Sequence, residues 1–423
     1  MQAQLKNSDQ DFALGAVPQG EKRGFWPMFA VMMGFTFFSA SMLTGGKLGA
    51  GLSMSEFLIA VLAGNLVLGA YTGLLGYIAS ATGLSTHLLA RYSFGEKGSY
   101  LASFMLGVTQ VGWFGVGVAM FALPVHKVTG VNEYLLIAIA GMLMTATAYF
   151  GIKALTILSI VAVPSIAILG SYSVKLAADS VGGLQGMMSL QPTEAITMAT
   201  ALTMCVGSFI SGGTLTPDFA RFAKSKKTGV ITTVIAFFIG NSLMFIFGAV
   251  GAAATGQSDI SEAMFLQGLI LPAILVLGLN IWTTNDNALY ASGLGFSNIT
   301  KLPKNKLVVF NGLIGTLAAL WLYNNFVGWL TFLGATLPPI GGIILADYFL
   351  VRKGKYASIE TIQFKEIKWS ALVAWAIAVG LATYAPGIPP INAVVGSALS
   401  YVCINKLAEN YLNQQELTLK KVS

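Results

Sequence analysis

Gln110 and Trp113 stand three residues apart in the stretch Thr109-Gln110-Val111-Gly112-Trp113-Phe114-Gly115, a spacing that puts both on one face of a helix. The glutamine amide offers one acceptor and two donors, enough for a two-point match to an amide-like or nucleobase edge, and the indole supplies a flat apolar wall beside it. The pair suits a planar, polar, uncharged heterocycle, whereas either residue alone would read as an interfacial tryptophan or an interhelical tie. Phe209, flanked by Gly207, Ser208 and Ser211, offers a second wall. Asn280, Thr283 and Thr284 follow at i, i+3 and i+4 and also share a face. Their oxygens could cage a hard monovalent cation, although threonine hydroxyls commonly bond back to the preceding turn. Asp286, the one acid clearly inside an apolar segment, could be a proton relay, a cation ligand or a hydrated structural carboxylate. Asp218 with Arg221 reads as a gate or loop anchor. The cysteines Cys205 and Cys403 and the histidines His87 and His126 are isolated, so neither a disulfide framework nor a transition-metal site is expected, and no cofactor is.

The elements that must hold these residues are set by composition. Of 423 residues, 55% are hydrophobic and 10% charged, against roughly 25% charged in a soluble domain. Such a chain cannot cover a water-facing surface and reads as a polytopic membrane protein. Apolar stretches near the roughly 20 residues that cross a bilayer occur at 25–46, 57–81, 100–123, 134–150, 154–174, 196–215, 230–254, 263–290, 307–322, 326–345, 369–384 and 391–404. None shows the period-two alternation of a barrel strand, so all twelve are expected as helices. With the amino terminus inside, 21 of the 24 Lys and Arg residues fall on the inner side and only Lys47, Lys127 and Lys175 outside. That asymmetry implies an even number of spans with both termini cytoplasmic, and it accounts for the net charge of +7 without a nucleic-acid partner. The first apolar run is too long for a cleaved signal peptide and lacks a small-residue cleavage site.

An internal repeat is legible. Phe38-Ser39-Ala40-Ser41 in the first segment has a counterpart in Phe209-Ile210-Ser211-Gly212-Gly213, the two phenylalanines lying 171 residues apart, and the same offset carries Gln110 next to Asn280 and Pro164 near Pro338. Five segments is an odd number, so the second copy must be inverted, a secondary-transporter plan. The expected architecture is all-α, with tail 1–24, a first repeat 25–174, a second inverted repeat 196–346, two further helices within 369–404 and tail 405–423. Gly212-Gly213 reads as a helix break that faces backbone groups to a ligand. A corresponding break in the first helix rests on less, because Gly45-Gly46 lies near its outer end.

Longer strings carry a resemblance. The tracts Leu43-Thr44-Gly45-Gly46, Thr86-His87-Leu88-Leu89-Ala90-Arg91, Gln110 to Gly117, Gly207 to Ser211, Asn280 to Tyr290 and Tyr323-Asn324-Asn325-Phe326-Val327-Gly328-Trp329 resemble the nucleobase-cation symporter family, over nearly the whole chain. The resemblance implies twelve helices in a leucine-transporter-like fold of five plus five inverted helices, in the bacterial inner membrane, and import of a nucleobase or related heterocycle with a cation. Carried over by position, it implies substrate contacts from Phe38, Gln110, Trp113, Ser208, Phe209, Ser211 and Asn280, and a sodium site of Gly34, Phe37, Asn280, Thr283 and Thr284. At these positions the sequence follows the cytosine branch. The expectation is therefore sodium-coupled cytosine import, with proton coupling or another nucleobase or hydantoin-like substrate as the alternative, and no obligate protein partner. A membrane-embedded enzyme would need catalytic side chains that no span supplies, and a channel would need polar lining along its length.

Overall fold

The computed structural model describes residues 11–189, 191–325 and 333–422. The start of the tail and residues 326–332, where the tenth segment was expected to begin, lie outside the described residues. The described chain is helical, with no strand beyond an isolated bridge between Arg23 and Ala223. In chain order the helices are α1 (Phe25–Thr36), α2 (Ser39–Gly51), α3 (Met54–Thr82), α4 (Thr86–Phe94), α5 (Gly98–Thr129), α6 (Glu133–Tyr149), α7 (Ile152–Ser180), α8 (Gly183–Ser189), α9 (Met198–Gly213) and α10 (Thr216–Ala220). There follow α11 (Lys226–Ile235), joined by a π turn at Ala236–Asn241 to α12 (Ser242–Thr255), then α13 (Ile260–Leu266), α14 (Ile270–Thr300), α15 (Lys304–Leu317), α16 (Ala319–Asn324), α17 (Pro338–Ala346), α18 (Trp369–Tyr384) and α19 (Pro389–Val422).

Six stretches are long and apolar enough to cross a membrane: Met54–Thr82, Gly98–Thr129, Ile152–Ser180, Lys226–Leu266, Leu333–Val351 and Pro389–Ala408. The bent α1–α2 pair makes a seventh, and α6, α9 and α18 are apolar but shorter. The eighth expected segment, 263–290, begins in α13 and continues after a break into α14, which has the length, 31 residues, but carries its polar residues through the middle and runs on to Thr300. The ninth is divided between α15 and α16. The packing is inverted relative to a water-soluble protein. α7 buries Thr156, Ser159, Ala162 and Gly170 while Ile157, Ile160, Val161 and Ile168 are exposed. So much apolar surface is stable only against hydrocarbon.

Both first helices of the expected repeats are interrupted. Phe37 and Phe38 leave helical geometry (φ, ψ of −77°, 86° and −128°, 125°), and α1 and α2 diverge by 55°. This break lies well before Gly45-Gly46, which corrects the sequence reading. Those two glycines sit within α2, where a side chain on Gly45 would strike the Phe245 carbonyl and one on Gly46 the Ser258 hydroxyl. They serve close approach to α12 and its following loop, the packing role that small residues commonly take in membranes. The second break falls at Thr214-Leu215, directly after Gly212-Gly213, where that pair suggested it.

Candidate functional site

A cavity opens where the two breaks face the middles of α5 and α14. It is lined by Phe35 and Phe38 from the first break, Gln110, Trp113, Gly117 and Met120 from α5, Gly207 to Phe209 with Ser211 and Gly212 from α9, Ile281, Thr284, Asn285 and Ala288 from α14, and Leu333 with Gly334. Among these lining residues there is no Asp, Glu, Lys, Arg or His. A site without charges, in low dielectric, favours a neutral ligand, because a charged one would lose its hydration without a counter-charge. The cavity measures about 70 Å³, while a single buried water needs roughly 10–15 Å³, so its size suits one small ring.

Aromatic rings fix its shape. The Phe38 ring meets Trp113 edge-on at 5.0 Å and 73°, and Phe209 at 5.6 Å and 83°. Phe209 is in turn held by edge contacts to Phe35 and Phe237 at 5.2 and 5.1 Å. The extended backbone at the first break is what turns Phe38 toward both walls. Polar groups then occupy the remaining surface. Ser208 donates to the Cys205 carbonyl at 2.8 Å and Ser211 to the Leu333 carbonyl at 3.4 Å, and each hydroxyl oxygen keeps acceptor capacity. Among the described residues nothing hydrogen-bonds to the Gln110 amide, although Gln110 is buried. A buried amide in that condition is costly unless a ligand or water completes it.

Asn285 was not singled out from the sequence. Its Nδ2 donates to the Phe114 carbonyl at 3.1 Å, which leaves Oδ1 as the free end of the amide. That oxygen lies against Gly117, where any side chain would collide with it. The signal was present as helical spacing: Ile281, Thr284, Asn285 and Ala288 at i, i+3, i+4 and i+7 form the face that lines the cavity. The 280, 283, 284 face chosen from the sequence is rotated by one residue from it, so of those three only Thr284 reaches the cavity. The Asn280 side chain is spoken for, since its Oδ1 accepts from Ser39 Oγ at 2.7 Å across the first break.

The residues expected to hold sodium lie on the two elements that Ser39 and Asn280 join, Gly34 and Phe37 beside the first break and Asn280, Thr283 and Thr284 on α14. Among the described residues no backbone N–H donates to the carbonyls of Gly34 or Phe37, which the break releases from the helical ladder. The Asn280 carbonyl accepts from Thr283 Oγ1 at 3.0 Å and from Thr284 Oγ1 at 3.1 Å. The hydroxyls thus bond back to the preceding turn, as threonine ordinarily does, yet all five oxygens are of the hard, uncharged kind that a monovalent cation takes. Asp286 lies elsewhere, between α14 and α6. Its Oδ1 accepts from Thr147 at 2.7 Å, and Thr147 accepts from Trp282 Nε1 at 2.8 Å. Arg221 is an anchor, as expected: it donates to the carbonyls of Asp11 and Phe12 at 2.7 and 2.8 Å and to the Tyr290 hydroxyl at 2.9 Å.

Comparison with known proteins meets this geometry at the level of sequence and fold. Residues 16–404 match the model of the family described as permease for cytosine/purines, uracil, thiamine, allantoin. The chain is 58% identical over 401 residues to the cytosine permease of Escherichia coli (strain K12), covering 95% of this chain and 96% of that one. It is 23% identical to the hydantoin permease of Microbacterium maritypicum, over 90% and 85% of the two chains. A solved nucleobase-cation-symport-1 family transporter, in a closed conformation with bromovinylhydantoin bound, superposes with a TM-score of 0.80 at 20% identity over 96% of each chain. A Na+-coupled sialic acid symporter in an outward-open state shares the fold with a TM-score of 0.72 at 14% identity, over 94% and 93% of the chains.

Proposed function

Because this chain belongs to the family of permeases for cytosine, purines, uracil, thiamine and allantoin, and is therefore a multi-pass membrane transporter and not an enzyme, we propose that it imports cytosine together with sodium. The observation that carries the substrate is the cavity itself: aromatic walls, no charge, the Gln110 amide from α5 and the free Oδ1 end of the Asn285 amide from α14. Cytosine slots between Trp113 and Phe209 with Phe38 at its edge. Its exocyclic amino group donates to an acceptor such as Asn285 Oδ1, and Gln110, Ser208 and Ser211 complete its polar rim. Uracil carries a carbonyl where cytosine has the amine, so it would set two acceptors against each other. Sodium is held by the carbonyls of Gly34, Phe37 and Asn280 and the hydroxyls of Thr283 and Thr284. Because those oxygens join the first break to α14, bound sodium stabilises the arrangement that shapes the cavity, which couples the two ligands.

The proposal extends to topology: twelve crossings, the inverted repeats 25–174 and 196–346 followed by two more helices, the bacterial cytoplasmic membrane, and both termini inside. The basic-residue asymmetry and the paired helix breaks support it. A proton is the alternative coupling ion, favoured by the buried Asp286, whose Oδ2 has no partner among the described residues. The deciding experiment is uptake of radiolabelled cytosine by the purified protein in liposomes, with sodium and proton gradients imposed separately. Accumulation driven by the sodium gradient supports the reading, and accumulation driven only by the proton gradient replaces sodium with a proton.

A further inference from the structure

A second hollow, of about 560 Å³, lies away from the central cavity, on the outer surface of the crossing between α6 and α15. Its floor is made by two glycine–threonine contacts: a side chain on Gly141 would strike Thr316 Oγ1, and one on Gly312 would strike Thr145 Oγ1. The 171-residue offset of the internal repeat carries Gly141 to Gly312 and Thr145 to Thr316, so equivalent residues of the two copies meet. Small residues let the two backbones approach closely, and they leave a groove that no side chain fills. Met142, Tyr149, Phe150, Val309, Leu313 and Leu317 wall it and are all exposed. No lining residue is charged, and the Thr316 hydroxyl in the floor is engaged by the Gly312 carbonyl at 2.7 Å. In a membrane chain such a surface meets hydrocarbon. From Ala138 to Tyr149 the groove follows α6 for roughly 17 Å at 1.5 Å per residue, a little over half of the roughly 30 Å hydrocarbon core. That length suits an acyl chain of one leaflet.

One end of the groove is basic. Asp11 accepts from the Ile152 N–H at 3.3 Å and pairs with Lys304, which pins the start of α7 to the start of α15 just beyond Phe150. Exposed Lys153 and Lys306 therefore stand at the same end of the groove. Lys306 is one turn before Val309 on the stripe that continues to Leu313 and Leu317 along the groove wall. Lys153 heads the exposed stripe of α7 that continues through Ile157 and Ile160. Asp11 is already engaged, and among the described residues no acid pairs with Lys153 or Lys306.

We propose that this groove binds an anionic phospholipid, one acyl chain lying between α6 and α15 and the phosphate resting between Lys153 and Lys306. Both lysines belong to the basic side of the topology proposed above, so the lipid comes from the cytoplasmic leaflet. A second copy of this chain fits the groove less well. A two-fold axis along the membrane normal would bring the same lysines of both copies face to face at one depth, four cations with no acid between them, whereas a phosphate neutralises the pair. The lipid also bears on the transport site. Opposite the groove, α6 places Met144 Sδ 3.3 Å from Asn285 Nδ2 and Thr147 against Asp286, so a chain that steadies α6 on α15 steadies the wall behind the cavity.

The test titrates the full chain, delipidated in neutral detergent, with phosphatidylglycerol and with phosphatidylcholine of the same acyl chains, and counts bound lipids by native mass spectrometry. Phosphatidylglycerol should be preferred about 25-fold, since each lysine at the membrane surface contributes about fivefold. Lys153→Gln and Lys306→Gln should each remove about fivefold of that preference and leave phosphatidylcholine binding unchanged. Ala146→Phe, which puts a ring into the groove from an exposed position, should weaken both lipids, as should replacing the chains by hexanoyl, at least tenfold. Equal binding of the two lipids by the wild type overturns the headgroup assignment. Undiminished phosphatidylglycerol binding in Ala146→Phe and with hexanoyl chains means attraction to surface lysines alone and overturns the groove. A dimer that persists without lipid and is lost in Ala146→Phe puts a second copy in the groove and overturns the lipid.

Discussion

Trp113, Gln110 and Asn285 differ in what the protein itself asks of them, and that difference predicts how each variant fails. Trp113→Ala should weaken cytosine binding at least tenfold, since stacking of a base on an aromatic is worth about 1 to 3 kcal/mol. Unchanged affinity in a well-folded variant would reject the stacked pose. Gln110 has no hydrogen-bond partner in the described protein, so Gln110→Ala should cost about 1 to 3 kcal/mol of cytosine affinity with no loss of thermal stability. Asn285 is different, because its Nδ2 serves the Phe114 carbonyl. Asn285→Ala should therefore lower both affinity and melting temperature. Paired binding and thermal-unfolding measurements separate these outcomes, and equal stability losses in the two amide variants would contradict the assignment. Gln110 and Trp113 were legible in the sequence because three-residue spacing on one helix is a local property. Asn285 was not, because the rotation of α14 toward the cavity is set by its neighbours.

The interrupted and π-turn elements are where local chemistry and tertiary contacts divide the work. The π turn at Ala236–Asn241 delivers Asn241 to a buried relay: Ser41 donates to Asn241 at 2.6 Å, Asn241 to Asn65 at 2.7 Å, and Asn65 to Ser242 at 2.9 Å. That relay ties α2, just past the first break, to α3 and α12. Asn241→Ala would strand the Ser41 hydroxyl and the Asn65 carbonyl, each at about 1 to 3 kcal/mol, and a clear drop in melting temperature in detergent is the expected result. If stability is unaffected, the relay does not brace the break. Thr284→Ala removes one of the five oxygens proposed to hold sodium and should flatten the dependence of cytosine affinity on sodium, with little effect at saturating sodium. Titrating cytosine across sodium concentrations at fixed ionic strength checks this. An unchanged sodium dependence removes Thr284 from the ion site.

For the whole molecule the prediction is energetic. A neutral base gains nothing from membrane voltage, whereas one co-transported cation brings roughly 2.3 kcal/mol per 100 mV, and a tenfold sodium gradient adds about 1.4 kcal/mol. Together they support accumulation of a few hundredfold, which a sodium ionophore should abolish; accumulation that survives collapse of the sodium gradient would exclude sodium as the driver. Composition alone makes this a helical membrane chain, since 10% charged residues cannot solvate a surface, and the sequence also marked the second break, since Gly212-Gly213 weakens a helix locally. It did not place the first break. Phe37-Phe38 carries no helix-breaking residue, and only the contacts of Phe38 with Trp113 and Phe209, and of Ser39 with Asn280, decide that the chain extends there. The groove between α6 and α15, whose floor joins Gly141 to Thr316, and the face of α14 that meets the cavity were likewise decided by packing, because spacing along a helix gives relative angles between residues but not the direction in which the helix is turned.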